Sequence, residues 1–310
     1  MTSPSPPPDS GVRARVGYLG PEGTFSEEAL LASVPPDTVE PVALETIYET
    51  VMALRRGAVD WALVPLENSL DGSVSVTLDL LAGEVDDLEI VGETLLRVRH
   101  SLIAREPSEL AEIDTVISHP QVPGQCQRFL RGELAHARIL PASSTAEAVR
   151  LVASGEQSGG AALGTRLAAE IYGGTILREG VQDRDDNETR FIWLARTPGS
   201  SGGPTPPTSG GPTPPRGLET SAGGKWKTSL VFWGAGADSP GWLVRCLDEF
   251  ARRSINLTRI ESRPRREGLG HYMFFVDLEG SLEERAVAEA VEGVREHCEE
   301  ARVLGSYPAS

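Results

Sequence analysis

The fold of the large N-terminal part is decided by residues 115–172, TVISHPQVPGQCQRFLRGELAHARILPASSTAEAVRLVASGEQSGGAALGTRLAAEIY. In this stretch, short apolar runs alternate with longer segments whose apolar residues recur at helical spacing. Because strand and helix follow each other three times, the pattern predicts an α/β fold with mainly parallel strands. The predicted strands are Thr115–Ser118, Arg138–Leu140 and Ala161–Leu163, and the predicted helices are Pro123–Leu134, Thr145–Ala153 and Thr165–Tyr172.

The chain outside this stretch divides at residues 198–224, which are dominated by Gly, Pro, Ser and Thr. Such a composition is typical of an extended linker, so we expect one domain at 12–197 and another at 225–310. The second domain has the order strand, helix, strand, strand, helix, strand, which predicts a ferredoxin-like βαββαβ sandwich. The Pro- and Ser-rich residues 1–11 are expected to form a disordered tail.

Charge and composition exclude several functions. The net charge of −16 and the pI of about 4.8 argue against nucleic acid or an anionic membrane surface as the main partner. Only Lys225 and Lys227 are lysines, so residues 1–224 hold no Schiff-base or phosphate-loop lysine.

Cysteine, histidine and apolar patterns indicate a soluble protein without metal or cofactor. The three cysteines and five histidines have no metal-ligand spacing, and no dinucleotide motif is present. An odd, low cysteine count fits a reducing compartment, and no apolar run is long enough to span a membrane. We therefore expect a cytoplasmic protein.

Five polar loops follow predicted strands or precede one, and ligands of α/β sheets bind at such strand ends. They predict a site built from hydroxyls, amides and arginine, suited to a small polar anion. Within them, Arg190 is a candidate carboxylate ligand, or else the partner of a surface aspartate. His119 is a candidate general acid or a structural residue, and Ser144 with Glu147 has capping-box spacing. The loops are residues 20–26, 65–73, 118–126, 143–147 and 183–191.

In this order, the loops resemble the motifs of the prephenate dehydratases across nearly the whole chain. Each motif is short, but their joint order and spacing are specific. The C-terminal part resembles an ACT domain, whose ligand motif would be Glu261, Ser262, Arg263 and Pro264. The similar catalytic motifs are GPEGTFS (20–26), VPLENS (64–69), SHPQ with QC (118–121 and 125–126), ALG (162–164) and NETRF (187–191).

The resemblance implies two α/β lobes with the site in the cleft between them. Lobe one would comprise 12–97 and 179–197, and lobe two 98–178. The family converts prephenate to phenylpyruvate, carbon dioxide and water without a cofactor. Carried over by motif, the catalytic residues would be Thr189, Asn68, Ser118 and Gln125, and the substrate-binding residues Arg190, Thr24, Ser26, Glu67 and Phe191.

The resemblance also implies inhibition by L-phenylalanine and a homo-oligomer, either a dimer or a tetramer. The effector would contact Gly241, Leu243 and Val244 as well as residues 261–264. The family usually has alanine where this chain has Trp242, either beside the ligand pocket or at a subunit interface. Two alternative functions are open: an arogenate dehydratase, and a non-catalytic sensor of an amino acid or small anion.

Overall fold

The computed structural model describes residues 13–157, 159–197, 224–234, 239–268 and 270–310. The expected tail at 1–11 and the expected linker up to residue 223 lie outside the described residues. Among the described helices, none is both long and apolar enough to cross a membrane.

The N-terminal region contains eleven strands and seven α-helices among its described residues. The strands are β1 (Ala14–Leu19), β2 (Val39–Leu44), β3 (Trp61–Asn68), β4 (Gly72–Ser73), β5 (Leu88–Arg97), β6 (Ser101–Ala104), β7 (Thr115–Ser118), β8 (Arg138–Pro141), β9 (Gly160–Gly164), β10 (Thr175–Arg178) and β11 (Glu188–Arg196). The helices are α1 (Phe25–Ser33), α2 (Ile47–Arg55), α3 (Ser75–Gly83), α4 (Val122–Gln125), α5 (Gln127–Glu133), α6 (Thr145–Ala153) and α7 (Arg166–Tyr172).

These strands form two sheets. The first has the order β2-β1-β3-β11-β5, with β4 beside β3, and it carries lobe one. The second has the order β10-β6-β9-β7-β8 and carries lobe two. The chain leaves lobe one after β5, builds lobe two, and returns through β11 between β3 and β5.

The sheets are mixed, and this differs from the expected mainly parallel arrangement. Strands β1, β2 and β3 are parallel, as are β7, β8 and β9. The returning strand β11 is antiparallel to both neighbours, and β6 is antiparallel to β9 and β10. The parallel strands occur where the sequence predicted an alternation of strand and helix, whereas the strands that join the lobes pair antiparallel.

The C-terminal domain has the predicted βαββαβ order: β12 (Trp226–Trp233), α8 (Trp242–Ala251), β13 (Leu257–Pro264), β14 (Tyr272–Glu279), α9 (Arg285–His297) and β15 (Glu300–Pro308). Its antiparallel sheet has the order β13-β14-β12-β15. One face packs on the two helices and the other on lobe one, where Phe275 and Leu304 join the core around Leu66. At Gly305 a Cβ atom would lie 2.1 Å from the Ile90 carbonyl oxygen, so this approach requires glycine.

Candidate active site

A cavity of about 560 Å³ lies between the lobes and is lined by strand ends and helix starts of both. Two contacts hold the lobes together beside it. The Thr165 hydroxyl donates to the Gly23 carbonyl at 2.6 Å, and the Tyr172 hydroxyl donates to the Glu22 carbonyl at 2.9 Å. Gly23 has φ +84°, and a Cβ atom there would lie 2.9 Å from Ala168, so the close approach of the lobes depends on glycine.

Lobe one presents the start of helix α1 to this cavity. Thr24 and Ser26, both expected to bind substrate, line the wall and are nearly buried. The Thr24 hydroxyl donates to the Leu19 carbonyl at 3.0 Å and does not cap the helix, while the Glu27 carboxylate accepts the Gly23 N–H just before it. The N–H groups of the first turn therefore remain available, and a helix N-terminus favours an anion.

Lobe two presents the start of helix α6 to the same cavity. Ser143, Ser144 and Thr145 line it. The Ser144 hydroxyl accepts the Glu147 N–H at 3.0 Å, which is one half of a capping box, whereas the Glu147 carboxylate accepts from Arg150 instead. Anionic groups in the cavity thus meet helix N-termini from both lobes.

No lysine or arginine is among the residues that line this cavity, all of which the structure describes. Two carboxylates, Glu45 and Asp71, are part of its wall. His119, the candidate general acid, also lines it. Any negative charge bound here is consequently held by backbone and side-chain dipoles.

The amide of Asn68 fixes the direction of a hydrogen-bond chain on the cavity wall. Its Oδ1 accepts the N–H groups of Leu70 and Asp71 at 2.9 and 3.0 Å, so Nδ2 must be the donor. Nδ2 donates to Asn187 Oδ1 at 2.8 Å and to Thr189 Oγ1 at 2.9 Å. The Thr189 oxygen is therefore an acceptor in this chain. Among the described residues its hydroxyl donates to none, so its proton is available to a ligand in the cavity.

The chain continues through Gln125 into lobe two. Asn187 Nδ2 donates to Gln125 Oε1 at 3.1 Å, and Gln125 Nε2 donates to Asp71 Oδ2 at 2.9 Å. His100 Nε2 lies 2.9 Å from the same Gln125 Oε1 and must carry a proton. His100 Nδ1 is buried and has no partner among the described residues. Burial lowers the pKa of His100, so the ring is neutral.

Ser118 does not line the cavity, contrary to the expectation of a catalytic role. Its side chain is 1% exposed at the end of β7, and its hydroxyl lies 3.3 Å from the His119 carbonyl oxygen, to which it donates. Ser118 is thus buried beside His119, which does line the cavity, and its catalytic role stays a prediction.

Arg190 and Glu67 also lie outside the cavity, although both were expected to bind substrate. The Arg190 guanidinium donates to Glu93 at 2.7 Å, to Asp277 at 2.6 Å and to Glu67 at 3.0 Å. Its Nη2 donates to the Tyr307 hydroxyl at 2.8 Å. Arg190 thus forms a buried cluster between lobe one and the C-terminal domain, and neither a contact with the cavity nor a pair with a surface aspartate is seen for it among the described residues.

Strand geometry explains this placement. Successive side chains of a strand point to opposite faces, so Thr189 and Phe191 face the cavity while Arg190 faces away. Thr189 is the register partner of Asn68, and Arg190 that of Glu67. The two strands therefore present one pair that lines the cavity and one ionic pair on the opposite face.

Two residues of the hydrogen-bond chain, His100 and Asn187, were not assigned a role from the sequence. Both are 1% exposed. Asn187 is the first residue of the NETRF motif (187–191), and its place in that motif was the available signal. His100 follows β5 at the crossover between lobes, where nothing local indicates a partner 25 residues away. No cluster of three metal-ligating side chains occurs in the part of the chain that the structure describes.

A second cavity, of about 410 Å³, lies in the C-terminal domain. Gly241, Leu243 and Val244, expected to bind an effector, line it together with Trp242. The Trp242 ring is 5% exposed and packs against Phe232 and Phe274, so it belongs to this domain's core.

Residues 261–264, the other half of the expected effector site, do not line that cavity. Glu261 Oε2 accepts the Ser73 hydroxyl at 2.6 Å, and Arg263 Nε donates to Asp79 at 2.7 Å. These side chains face lobe one, whereas Ser262 and Pro264 are exposed on the opposite face of β13. Within this chain, the two halves of the expected effector site are therefore apart.

Comparison with known proteins agrees with this architecture. The prephenate dehydratase family model matches residues 16–199, and the ACT domain model matches residues 235–296. The prephenate dehydratase of Mycobacterium bovis (strain BCG / Pasteur 1173P2) is 39% identical over 302 residues, covering 95% of this chain and 87% of the relative.

Two solved structures are similar along almost the whole chain. A prephenate dehydratase from Arthrobacter aurescens in complex with L-Phe has 33% identity and a TM-score of 0.80, covering 95% of this chain and 89% of that one. A protein described as GqqA, a novel type of quorum quenching acylase, has 28% identity and a TM-score of 0.79, covering 96% and 98%. On the family match and the similarity to the mycobacterial enzyme, this chain belongs to the prephenate dehydratase family and carries a C-terminal ACT domain.

Proposed function

We propose that the interlobe cavity binds prephenate and that the Thr189 hydroxyl donates a hydrogen bond to the departing ring hydroxyl. This role rests on the orientation of the Asn68 amide, whose Nδ2 donates to Thr189 Oγ1 at 2.9 Å. Since that oxygen already accepts a hydrogen bond, its own proton is directed to the substrate. Hydroxide leaves the ring more readily when a positioned donor stabilises it.

The driving force of the reaction lies in the substrate. Breaking the bond to the carboxylate releases carbon dioxide, and its electron pair passes through the ring and expels hydroxide, leaving an aromatic product. The hydroxide takes up one proton and becomes water. Thr189 acts as donor and relay, because an unassisted threonine hydroxyl is too weak an acid to supply that proton alone.

The starts of α1 and α6 support the binding of two carboxylates without an arginine. Thr24 and Ser26 belong to one helix start and Thr145 to the other. Asn68 and Gln125 orient the donors between them, and Phe191 supplies an apolar wall for the ring. Arg190 and Glu67 act on this site through the strands that they hold together.

The test of this function is phenylpyruvate formation from prephenate by the purified enzyme. Turnover supports the proposal, and tight binding without turnover would instead identify a non-catalytic sensor. A serine hydrolase would need a serine activated by a base. Among the described serines of the cavity wall, none is hydrogen-bonded to a histidine.

Arogenate is a second candidate substrate, favoured by the charge of the cavity wall. Arogenate carries an ammonium group where prephenate has a keto group. Glu45 and Asp71 line the cavity and would attract an ammonium, and no lysine or arginine is among the lining residues. Side-by-side measurement of kcat/KM on both substrates decides the preference.

L-Phenylalanine is the proposed inhibitor, on the strength of the complex of the Arthrobacter relative and the cavity lined by Gly241, Leu243 and Val244. The chain offers a route from the C-terminal domain to the active site. Ser73 lines the catalytic cavity, donates to Glu261 at 2.6 Å and accepts from Arg259 at 2.9 Å. A shift of β13 on effector binding would therefore move the cavity wall.

A homo-oligomer, dimer or tetramer, is proposed for the same domain. Val244 is 68% exposed, Ile260 49% and Tyr272 45%, and two of them also line the effector cavity. Such apolar exposure is typical of an interface. The three unpaired cysteines support the expectation of a reducing, cytoplasmic environment.

A further inference from the structure

Two cysteines of the C-terminal domain lie in contact although they are 52 residues apart in sequence. Cys246 lies in the middle of α8, and Cys298 lies between α9 and β15. Their sulfur atoms are 3.7 Å apart. Cys246 is fully buried, whereas Cys298 is partly exposed, so one member of the pair is accessible from solvent.

The pair lies directly behind the wall of the C-terminal cavity. Trp242 precedes Cys246 by one helical turn, and Glu299 follows Cys298; both residues line the cavity. The Trp242 indole N–H donates to the His297 carbonyl, which already links the start of α8 to the end of α9. A covalent bond between the two sulfurs would likewise join α8 to the segment that follows α9.

We propose that Cys246 and Cys298 form a reversible disulfide when the enzyme meets a low-molecular-weight disulfide, and that this bond alters ligand binding in the adjacent cavity. A disulfide bond is about 2.05 Å long, so the sulfurs must approach by roughly 1.7 Å. Side-chain rotation together with a small shift of α8 toward β15 supplies this movement. Because α8 begins at Trp242, the shift changes the cavity wall.

The exchange takes place in two balanced steps. The partly exposed Cys298 thiol passes its proton to the adjacent Cys246 sulfur as it attacks the incoming disulfide, forming a mixed disulfide and releasing one small thiolate. That small thiolate takes up the proton from Cys246. Cys246 then attacks the Cys298 sulfur, forming the internal disulfide and releasing the second small thiolate. The two protein thiols lose two electrons and two protons, and the small disulfide becomes two thiols.

The position of the pair sets it apart from the third cysteine, because Cys246 and Cys298 lie in contact and Cys298 is partly exposed. The contact with Cys298, helped by Arg245, lowers the pKa of the Cys246 thiol against the effect of burial, whereas the contact with Cys246 and burial raise the pKa of Cys298. Cys126 is fully buried and has no cysteine in contact among the described residues, and burial, assisted by the charge of Asp183, raises its pKa to about 12. Cys126 therefore serves as an internal control.

The first test is peptide mapping after incubation of the whole enzyme with oxidised glutathione. Trypsin should release peptides 246–252 and 296–302 joined by a disulfide, with Cys126 still free and the link absent from Cys298→Ser. Dithiothreitol should reverse the link. A stable glutathione adduct on Cys298 without the linked peptides, or no oxidation of either cysteine, would overturn the proposal.

The second test is a titration of reduced and oxidised enzyme with L-phenylalanine, and it rests on the effector role proposed above. We expect the Kd to differ at least threefold, with no difference for Cys298→Ser treated in the same way. An unchanged Kd in enzyme that carries the link would overturn the effect on the cavity. Failure of the reduced enzyme to bind L-phenylalanine would count against the effector role, while peptide mapping still decides whether the disulfide forms.

Discussion

Replacing Arg190 with methionine should destabilise the protein far more than it weakens substrate binding. Arg190 is 5% exposed and is the shared partner of Glu93, Asp277 and Glu67. Burial alone would lower the pKa of its guanidinium, but the neighbouring charges, foremost that of Asp277, raise it. Methionine keeps the volume of the side chain and leaves two buried carboxylates without this cation.

The size of the effect follows from the partners that remain. Removing one member of a buried ion pair costs about 3–5 kcal/mol. Lys227 still holds Glu93 at 2.8 Å, and the Ser229 hydroxyl still donates to Asp277 at 2.5 Å. We therefore expect the lower end, about 3 kcal/mol, which corresponds to a fall in Tm of roughly 6–12 °C.

This loss should depend on pH. Burial raises the pKa of Asp277, but Arg190 outweighs it, so in the native protein that pKa is lowered. The stability that the ionised Asp277 contributes is therefore fully present above its pKa in the unfolded chain, about 3.9, and is lost only as the pH falls below that value. Without Arg190, burial dominates and Asp277 takes up a proton at higher pH. The deficit of Arg190→Met should accordingly shrink as the pH is lowered from 7 toward 5.

The assay is a thermal melt with parallel measurement of KM for prephenate. Arg184→Met is the matched control, because Arg184 pairs with Asp186 and both side chains are more than half exposed. It should change Tm by no more than about 1–2 °C. If Arg190→Met kept the native Tm but raised KM tenfold or more, Arg190 would be a substrate ligand and the placement described here would be refuted.

Three further perturbations test the cavity and its connection to the C-terminal domain. Asn68→Asp should lower kcat by about 100-fold or more with little change in Tm, because the new carboxylate accepts the Thr189 proton instead of donating to its oxygen. A native kcat would contradict the assignment of Asn68 as donor and Thr189 Oγ1 as acceptor. His100, whose pKa is lowered by burial, should support stability above about pH 6.5 and lose it as the pH falls. Glutamine in His100→Gln can still donate to Gln125 but does not titrate, so the fall of Tm at acid pH should be smaller than in the native protein. Identical profiles of Tm against pH would exclude a contribution of His100 to this fall. Ser73→Ala should leave the Kd of L-phenylalanine unchanged but weaken inhibition about fivefold or more, and unaltered inhibition would exclude the Glu261 route.

Much of the fold could be predicted from local patterns. Residues 115–118 form a strand as expected, and the C-terminal domain has the predicted order of strands and helices. The predicted helix Pro123–Leu134 is interrupted at Cys126, which separates α4 from α5. The antiparallel strands were missed because the direction of β11 is set by pairing with β3 and β5, far away in sequence.

The sequence predicted which residue types form the site, but not which of their side chains point into the cavity. Residues 65–73 and 183–191 were predicted as loops, whereas β3 extends to Asn68 and β11 begins at Glu188. The alternation of strand side chains that separates Thr189 from Arg190 and Asn68 from Glu67 therefore did not follow from the predicted elements. The partners of His100 and the buried position of Ser118 could not be obtained from the sequence, because they depend on how the lobes pack.

The role of Thr189 is tested most directly by kcat for phenylpyruvate formation from prephenate in Thr189→Val and Thr189→Ser. Valine has the shape of threonine without its hydroxyl, and we expect kcat to fall by about 100-fold or more while Tm stays within a few degrees of the native value. Serine keeps the donor and should retain kcat to within about tenfold of the native enzyme. A Thr189→Val enzyme with native kcat would contradict the donor role of Thr189.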